Sequence, residues 1–226
     1  MPIFLDTGDL NEIITYHKMG IIRGVTTNPT ILLKSGVTGG LEGIRMRIID
    51  IAKVIHPYPL SVEVTTNNRD EMVAQAKEFS GWAENINVKI TIHGPQGELE
   101  NLEVIHELVS VHSVRVNVTA MMSAQQCLLA AMAGASYVSL FGGRVNNMGY
   151  DSRLEITKTR KVLDRLGLKS QIIIGSTREV LNVFEWLLAG AHIVTCTPNL
   201  IKGMIVHPYS KETVQMFLDD AKKGAC

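Results

Sequence analysis

The chain has 226 residues, of which 46% are hydrophobic and 19% charged, a mix typical of globular rather than disordered proteins. Twenty-two basic residues balance 22 acidic ones, so the formal net charge is zero. A neutral chain has no bulk attraction for nucleic acid or anionic membrane, and a few placed residues must hold any anion that it binds. We therefore expect small-molecule ligands and neither a nucleic-acid nor a membrane partner.

The termini and the cysteines indicate a cytoplasmic protein. The N-terminus reaches Asp6 without a basic segment, which argues against a signal peptide. The three cysteines are an odd number without close spacing, which favours a reducing compartment over a disulfide framework. We expect Cys127 and Cys196 to be buried as small hydrophobic residues and Cys226 to be a surface thiol.

Short apolar segments rich in β-branched residues alternate along the chain with segments of helical periodicity. The apolar segments predict strands over residues 3–6, 24–28, 60–65, 87–92, 114–119, 137–141, 171–175 and 192–196. Between them the pattern predicts a helix that begins at Leu10 and helices over 72–79, 102–111, 124–133, 154–166, 180–189 and 200–206. Gly134, Gly167 and Gly190 stand where helix C-caps are expected.

Alternating strands and helices predict an α/β fold with a parallel sheet. Eight such units in one domain over residues 1–226 are compact but sufficient for a single (β/α)8 TIM barrel. The alternative is an open doubly wound sheet, which usually has a glycine-rich loop after its first strand, and Asp6-Thr7-Gly8-Asp9 is not such a loop. In a barrel, the polar residues at the carboxyl ends of the strands become candidates for an active site.

Lys89 is the most informative of these residues because it interrupts a strand that otherwise predicts burial. Lysine is rarely buried without a partner. An apolar surrounding favours the neutral amine, which can attack a carbonyl and form a Schiff base. The alternative is a lysine at a strand edge that extends into solvent.

Other polar residues end neighbouring strands. Asp6 closes the first predicted strand, Asn28 lies at the end of the second, Glu63 interrupts the third, and Asn117 and Thr119 share one face of the fifth. Taken singly, Asp6 could cap a helix and Asn28 could belong to a turn. Taken together with Lys89, they form the set needed for imine chemistry with proton transfer.

Arginines follow the sixth and seventh predicted strands. Arg144 ends Phe141-Gly142-Gly143-Arg144, and Arg178 ends Ser176-Thr177-Arg178 just before a helix. Barrel enzymes often bind phosphate in this region, and two arginines suit a phosphate or a sulfonate. The alternative is two surface arginines in polar loops. The chain has neither a His-x-His pair nor an HExxH motif, so we expect no metal site and no cofactor.

These segments closely resemble the transaldolase family, in particular its short-chain branch, which also contains fructose-6-phosphate aldolases. The resemblance spans nearly the whole chain. The segments that carry it are Ile3-Phe4-Leu5-Asp6-Thr7, Gly24-Val25-Thr26-Thr27-Asn28-Pro29-Thr30, Ser61-Val62-Glu63-Val64, Asn87-Val88-Lys89-Ile90, Asn117-Val118-Thr119, Ser139-Leu140-Phe141-Gly142-Gly143-Arg144 and Ser176-Thr177-Arg178.

The resemblance implies a role for each site residue. Lys89 corresponds to the lysine that captures the C2 carbonyl of a ketose, and Asp6 to the group that takes the C4 hydroxyl proton when the C3–C4 bond breaks. Glu63 and Thr119 correspond to the pair that holds a catalytic water. The residues expected to bind the substrate hydroxyls and carbon chain are Thr27, Asn28, Asn117, Ser139 and Phe141. Those expected to bind the anionic group are Arg144, Ser176 and Arg178.

Two positions bear on the choice between transfer and release of the three-carbon unit. Glu63 and Phe141 follow the transaldolase pattern, whereas the aldolases of the branch typically have Gln and Tyr at these positions. Cleavage of the C3–C4 bond leaves an enamine on Lys89. Phe141 has no phenolic hydroxyl that could protonate this enamine and so release the three-carbon unit. We therefore favour a transaldolase over an aldolase, and both over a non-catalytic sugar-phosphate-binding barrel.

The chain also departs from the family pattern. The departures are Ala120-Met121-Met122, Thr177, Asn146-Asn147 and His93-Gly94-Pro95-Gln96-Gly97, several of which we expect near the C6 end of the donor. A sulfonate carries one negative charge, whereas a phosphate carries about 1.5 to 2. With the arginines retained, the departures resemble a relative within the family that acts on 6-deoxy-6-sulfofructose. The resemblance therefore implies this donor, with fructose 6-phosphate or sedoheptulose 7-phosphate as the alternative.

The C-terminal segment contains an amphipathic stretch over residues 212–221. Short-chain members of the family place this helix on a neighbouring subunit in ring assemblies, often pentamers or decamers, so the resemblance implies a homo-oligomer. The alternative is a last barrel helix that packs on its own chain.

Overall fold

The computed structural model describes residues 2–224 and contains a closed barrel of eight parallel strands in chain order. The first strand pairs with the last through Ile3 and Val194, which excludes the open doubly wound alternative. The strands are β1 (Ile3–Asp6), β2 (Val25–Thr26), β3 (Leu60–Glu63), β4 (Ile86–Thr91), β5 (Val116–Met121), β6 (Tyr137–Leu140), β7 (Gln171–Ile174) and β8 (Ile193–Cys196). The predicted (β/α)8 barrel is confirmed, and each predicted strand is present.

Helices surround the barrel and connect its strands. They are α1 (Leu10–Lys18), α2 (Pro29–Lys34), α3 (Gly40–Ile55), α4 (Arg69–Ser80), α5 (Glu100–Ser110), α6 (Ala124–Met132), α7 (Gly142–Asn147), α8 (Ser152–Leu166), α9 (Val180–Leu188), α10 (Pro198–Ile205) and α11 (Pro208–Gly224). The sequence pattern missed α2, α3 and α7. None of the helices within residues 2–224 is long and apolar enough to cross a membrane.

The main core lies between the strands and the surrounding helices. Outward side chains such as Val62, Val88 and Val118 are fully buried against helical residues such as Phe79 and Leu108. The strands therefore bury both faces, which explains their nearly continuous apolar sequence. Of the cysteines, Cys127 and Cys196 are buried as expected, and Cys226 lies outside the described residues.

The barrel interior has two halves of opposite character. At the amino ends of the strands, Phe4, Ile173 and Ile193 form a small apolar cluster with Tyr137 packed against it. At the carboxyl ends, register places Glu63 beside Lys89 and Lys89 beside Asn117. Because side chains alternate between the two faces of a strand, register partners on adjacent strands point to the same face of the sheet, and these residues form a polar layer inside the barrel. The apolar half closes the barrel below this polar layer.

The last helix differs from the others because none of its described residues is buried. The side chains of Tyr209, Val214, Phe217 and Leu218 are 54–74% exposed. The alternative in which the terminal helix packs on its own chain is therefore wrong. Its placement on a neighbouring subunit stays a prediction.

Candidate active site

A cavity of about 260 Å³ opens at the carboxyl ends of the strands, where the barrel fold predicts an active site. It is lined by residues from seven of the eight strands or the loops that follow them. The predicted site residues in its lining are Asp6, Asn28, Lys89, Thr119, Ser139, Phe141, Arg144, Ser176 and Arg178. Three other predicted residues, Thr27, Glu63 and Asn117, lie next to this lining.

Lys89 is held by two contacts at the base of the cavity. Its residue is 5% exposed, its Nζ lies 3.0 Å from Glu63 Oε2, and it donates to the backbone carbonyl of Thr27 at 3.0 Å. The Glu63 carboxylate balances the ammonium charge that burial would otherwise penalise. The same carboxylate is placed to take the proton that the lysine must lose before it becomes a nucleophile. The alternative of a solvent-extended lysine is therefore wrong.

Asp6 faces the same cavity from the first strand. It accepts a hydrogen bond from Thr26 Oγ1 at 2.6 Å. Burial raises the pKa of Asp6, and the Thr26 hydroxyl and the charge of Lys89 oppose that rise. A carboxyl group under these opposing influences is suited to accept and return a proton during catalysis. Burial and the nearby Asp6 charge also raise the pKa of Cys196 to about 12, so this thiol stays neutral.

A buried chain of hydrogen bonds runs beneath the lining. Ser139 Oγ donates to Asn117 Oδ1 at 2.6 Å, and Asn117 Nδ2 donates to Ser61 Oγ at 3.0 Å. Ser139 lines the cavity, while Asn117 is fully buried and holds it from behind. Thr119 Oγ1 is buried without a partner among the described residues, so its hydroxyl is available to a hydroxyl or water in the cavity.

Thr27 and Asn28, which follow β2, have different roles at the site. The Thr27 hydroxyl donates to the Ser61 carbonyl at 2.8 Å, so only the Thr27 backbone reaches Lys89. Asn28 lines the cavity and also caps α2, because its Oδ1 accepts from the Ile31 amide at 2.8 Å. Asn28 is therefore a helix N-cap rather than a turn residue, and this role is compatible with its place at the site.

The far end of the cavity is positive. The Arg144 and Arg178 side chains form no ion pair within residues 2–224, and the Arg144 guanidinium lies 5.2 Å from the ring centroid of Phe141. Between them, Ser176 adopts a left-handed backbone with φ of 60°, and its buried Oγ has no partner among the described residues. Strained backbone and an unsatisfied donor beside two unpaired cations are features of an anion-binding site.

Gly143 allows the two arginine-bearing segments to meet. A Cβ at this position would lie 1.8 Å from the Ser176 carbonyl oxygen, far inside contact distance. The Gly-Gly pair before Arg144 therefore serves close backbone approach and also begins a helix, α7, where the sequence suggested a loop. This approach fixes Ser176 beside α7.

Sequence reasoning missed five threonines that line the cavity: Thr26, Thr30, Thr177, Thr195 and Thr197. Thr26 is the register partner of Asp6, and Thr195 is the one polar side chain in Ile193-Val194-Thr195-Cys196. Thr177 was noted only as a departure from the family pattern. An inward polar residue within a buried strand was the signal that could have identified Thr195, as it did for Lys89.

The departures from the family pattern lie in three places. Thr177 lines the cavity between Ser176 and Arg178. Ala120 and His93 line a second, open cavity of about 470 Å³ above β2 to β5. Asn146 accepts from the Ser152 amide at 3.0 Å and so supports the start of α8. Only Thr177 among these four lines the cavity with the arginines, which corrects the expectation that several departures lie there.

A barrel with a buried, carboxylate-paired lysine beside a second carboxyl group, in a cavity with a positively charged end, defines a class of Schiff-base-forming enzymes. The family model "Transaldolase/Fructose-6-phosphate aldolase" matches residues 3–225. The chain belongs to this family, and the expectation of a Schiff-base-forming transaldolase-class enzyme is confirmed.

Similar proteins agree with this assignment. The chain is 38% identical to a "Probable transaldolase" of Thermoplasma acidophilum, over 99% of this chain and 96% of that protein. It is 37% identical to a "Probable transaldolase 2" of Listeria monocytogenes, over 97% of this chain and 95% of that protein.

Solved structures of other barrels share only the fold. A chain described as a lactate oxidase of Pediococcus acidilactici matches with a TM-score of 0.59 and 14% identity, over 88% of this chain and 63% of that one. An (S)-mandelate dehydrogenase of Pseudomonas putida matches with a TM-score of 0.58 and 13% identity, over 88% of this chain and 67% of that one. At this identity, the likeness concerns architecture and not chemistry.

Proposed function

We propose that this protein is a transaldolase that moves a dihydroxyacetone unit from a ketose with an anionic C6 group to an aldose phosphate acceptor. The observation that carries the proposal is the buried Lys89 amine, 3.0 Å from the Glu63 carboxylate and in the same cavity as Asp6. Glu63 takes the ammonium proton, and the neutral amine attacks the ketose C2 carbonyl. Loss of water, assisted by Glu63 and Thr119, gives the imine.

The imine then withdraws electrons from the C3–C4 bond. Asp6 takes the proton of the C4 hydroxyl, the C3–C4 bond breaks, and the released aldehyde carries the anionic group away. The enamine that remains on Lys89 attacks the acceptor aldehyde, and Asp6 returns the proton to the new hydroxyl. Because the imine itself accepts the electron pair, the proposed cycle needs no metal or cofactor.

Phe141 supports transfer over release. Its ring lines the cavity and carries no hydroxyl that could protonate the enamine. Asn28 and Ser139, with Asn117 behind Ser139, offer polar atoms to the hydroxyls of the three-carbon unit. If the natural chain rapidly released one equivalent of free dihydroxyacetone from donor alone, the aldolase alternative would replace the transaldolase.

For the donor we propose 6-deoxy-6-sulfofructose, which would release sulfolactaldehyde. Among the cavity-lining residues that the structure describes, Asp6 is the sole acid, so the arginine end offers hydrogen-bond donors to an anion. A sulfonate has no proton of its own at neutral pH and suits a donor-only site. Thr177, the departure that lies beside Arg178, is the residue we connect with this choice.

The donor test compares kcat/KM for 6-deoxy-6-sulfofructose and fructose 6-phosphate at a fixed acceptor concentration, with Lys89→Met as the inactive control. We expect a preference for the sulfonate. A strong preference for fructose 6-phosphate would assign the protein to the ordinary transaldolase reaction. Turnover of both donors by Lys89→Met would reject the Schiff-base mechanism itself.

We also propose that the protein is a cytoplasmic homo-oligomer, a pentamer or decamer, in which α11 packs on a neighbouring subunit. Support comes from the exposed apolar side chains of Tyr209, Val214, Phe217 and Leu218 and from the buried unpaired cysteines. Light scattering on the full chain and on a chain that ends at Val206 tests this. A full chain that is monomeric would contradict it.

A further inference from the structure

Two hydroxyl groups and one carboxyl group form a line of hydrogen bonds over three neighbouring strands of the barrel, β8, β1 and β2. Thr195 Oγ1 on β8 lies 2.6 Å from Thr26 Oγ1 on β2, and Thr26 Oγ1 lies 2.6 Å from Asp6 Oδ1 on β1. Thr26 and Thr195 are 4% and 6% exposed, so water does not screen these contacts.

Chemistry fixes the direction of both hydrogen bonds when Asp6 is ionised. A carboxylate can only accept, so Thr26 donates its single hydroxyl proton to Asp6. Thr26 then has no proton left for Thr195, and Thr195 must donate to Thr26. Each bond polarises the next one, so the Thr195 hydroxyl strengthens the bond that reaches the carboxylate.

We propose that Thr195 is a positioning residue for the reaction, which acts through Thr26 to orient the Asp6 carboxylate and to stabilise its ionised form. This inference rests on the proposed function, since it assigns Thr195 to the group that accepts the C4 hydroxyl proton. Without Thr195, the Thr26 hydroxyl can rotate away from Asp6, and the base loses both its orientation and part of its stabilisation.

The line also connects Asp6 with the anion-binding end. The Thr177 hydroxyl donates to the backbone carbonyl of Thr195 at 2.8 Å. Thr177 stands between Ser176 and Arg178, the two residues expected to hold the anionic group. The segment that binds the substrate anion is thus tied to the strand that carries Thr195.

The pH dependence of Asp6 involves few other groups. The titratable groups that face it are Lys89 on β4, whose charge lowers the pKa of Asp6, and Cys196 on β8, a neutral thiol. Glu63 on β3 acts through its ion pair with Lys89. The hydrogen bond from Thr26 lowers the pKa of Asp6 against the effect of burial, so its weakening must raise that pKa.

The test measures kcat, KM and the acidic limb of the kcat/KM pH profile for Thr195→Val, Thr26→Val and the double variant. We expect Thr195→Val to lower kcat by about tenfold with little change in KM and to move the acidic limb to higher pH. Thr195→Ser keeps the hydroxyl and should restore the natural profile. Thr159→Val, which removes a buried hydroxyl of α8, is the matched control. It should leave kcat, KM and the acidic limb of the pH profile unchanged.

The double variant separates positioning from packing. If Thr195 acts only through Thr26, the double variant has the kcat and the pH profile of Thr26→Val alone. If the two substitutions acted independently through packing, the fold-decrease in kcat of the double variant would instead be the product of the two single decreases. A Thr195→Val enzyme with an unchanged acidic limb, or multiplied effects in the double variant, would overturn the inference.

Borohydride trapping keeps this outcome distinct from failure of the proposed function. Imine formation precedes the step at Asp6, so Thr195→Val and the natural chain should both trap donor on Lys89. Trapping in both with an identical pH profile rejects only the role of Thr195. No trapping in the natural chain rejects the proposed function, and the role of Thr195 with it.

Discussion

The two halves of the barrel interior divide stability and chemistry between them. Phe4 and Asp6 lie two residues apart on β1, as do Ile193 and Thr195 on β8, and in each pair the first belongs to the apolar cluster and the second lines the cavity. On both strands, therefore, one inward-facing residue packs in the apolar cluster and the next inward-facing residue lines the cavity. A closed apolar half below can hold polar residues above it in a fixed geometry.

The polar half contains buried groups that cost stability, and the amino-end half has one as well, the Asn87 Nδ2 atom, which is buried without a partner among the described residues. Burial raises the pKa of Asp6, and the Thr119 and Ser176 hydroxyls are buried without partners among the described residues. Such groups destabilise a fold unless a ligand satisfies them. Substitutions in the upper half should therefore affect activity much more than stability, and those in the lower half should do the reverse.

The largest expected effect is that of Lys89→Met, which removes the nucleophile from the polar half. We expect activity to fall by about 10⁴-fold or more. The substitution also leaves the Glu63 carboxylate without its partner, so the melting temperature should fall and recover in Glu63→Gln/Lys89→Met. Lys169→Met, an exposed lysine at the amino-end face, is the matched control and should keep full activity.

Asp6→Asn should lower kcat by about 10²- to 10⁴-fold, since it removes the proposed base. It should also raise the melting temperature at pH 7. Because the folded protein raises the pKa of Asp6, ionisation of this carboxyl destabilises the fold at neutral pH.

The pH dependence of this stability difference is a further check. As the pH falls through the pKa of the folded carboxyl and then below the ordinary value of 3.8, both states of the natural chain become protonated at Asp6. The advantage of Asp6→Asn should therefore shrink on acidification, as measured by thermal unfolding. An advantage that grows at low pH would contradict the assigned direction of the pKa shift.

Arg144→Ala should raise KM for the anionic donor by about 10- to 100-fold, with a smaller change in kcat, because it removes one charged contact to the donor's anionic group. Added salt should raise KM in the natural chain and less so in the variant. Arg45→Ala, an exposed arginine of α3, serves as the control in the same steady-state assay. A KM equal to that of the natural chain would remove Arg144 from the anion site.

Phe4→Ala should have the smallest effect on activity and a large effect on stability. It opens a cavity in the apolar half and should lower the free energy of unfolding by about 3–5 kcal/mol, measured by urea denaturation. The kcat of the folded fraction should change little. A loss of kcat as large as that of Asp6→Asn would show that the two halves are not separable.

Periodicity predicted the eight strands because strands buried on both faces have an unmistakable apolar sequence. The same approach missed α3, which begins after Gly39 in a left-handed conformation and without a side-chain cap, so no polar start signal marks it. It missed α2 and α7 because Pro29 and the Gly142-Gly143 pair suggest turns, although Pro29 begins α2 and the glycine pair begins α7.

The site residues that end strands could be predicted, because a charged residue such as Lys89 within an apolar strand requires an explanation. The contacts between distant residues could not. Thr26 and Thr195 are 169 positions apart, and only closure of the barrel between β8 and β1 brings them within 2.6 Å. The fully buried position of Asn117, which holds Ser139 from behind, likewise follows from packing and not from spacing.

The central claim is that Lys89 forms an imine with the donor ketose. The most direct test is to incubate the full chain with donor, reduce with borohydride, and locate the adduct by peptide mass spectrometry. We predict one adduct per chain, on the peptide that contains Lys89, and none in Lys89→Met. Turnover without an adduct, or an adduct on another lysine in the natural chain, would contradict the account.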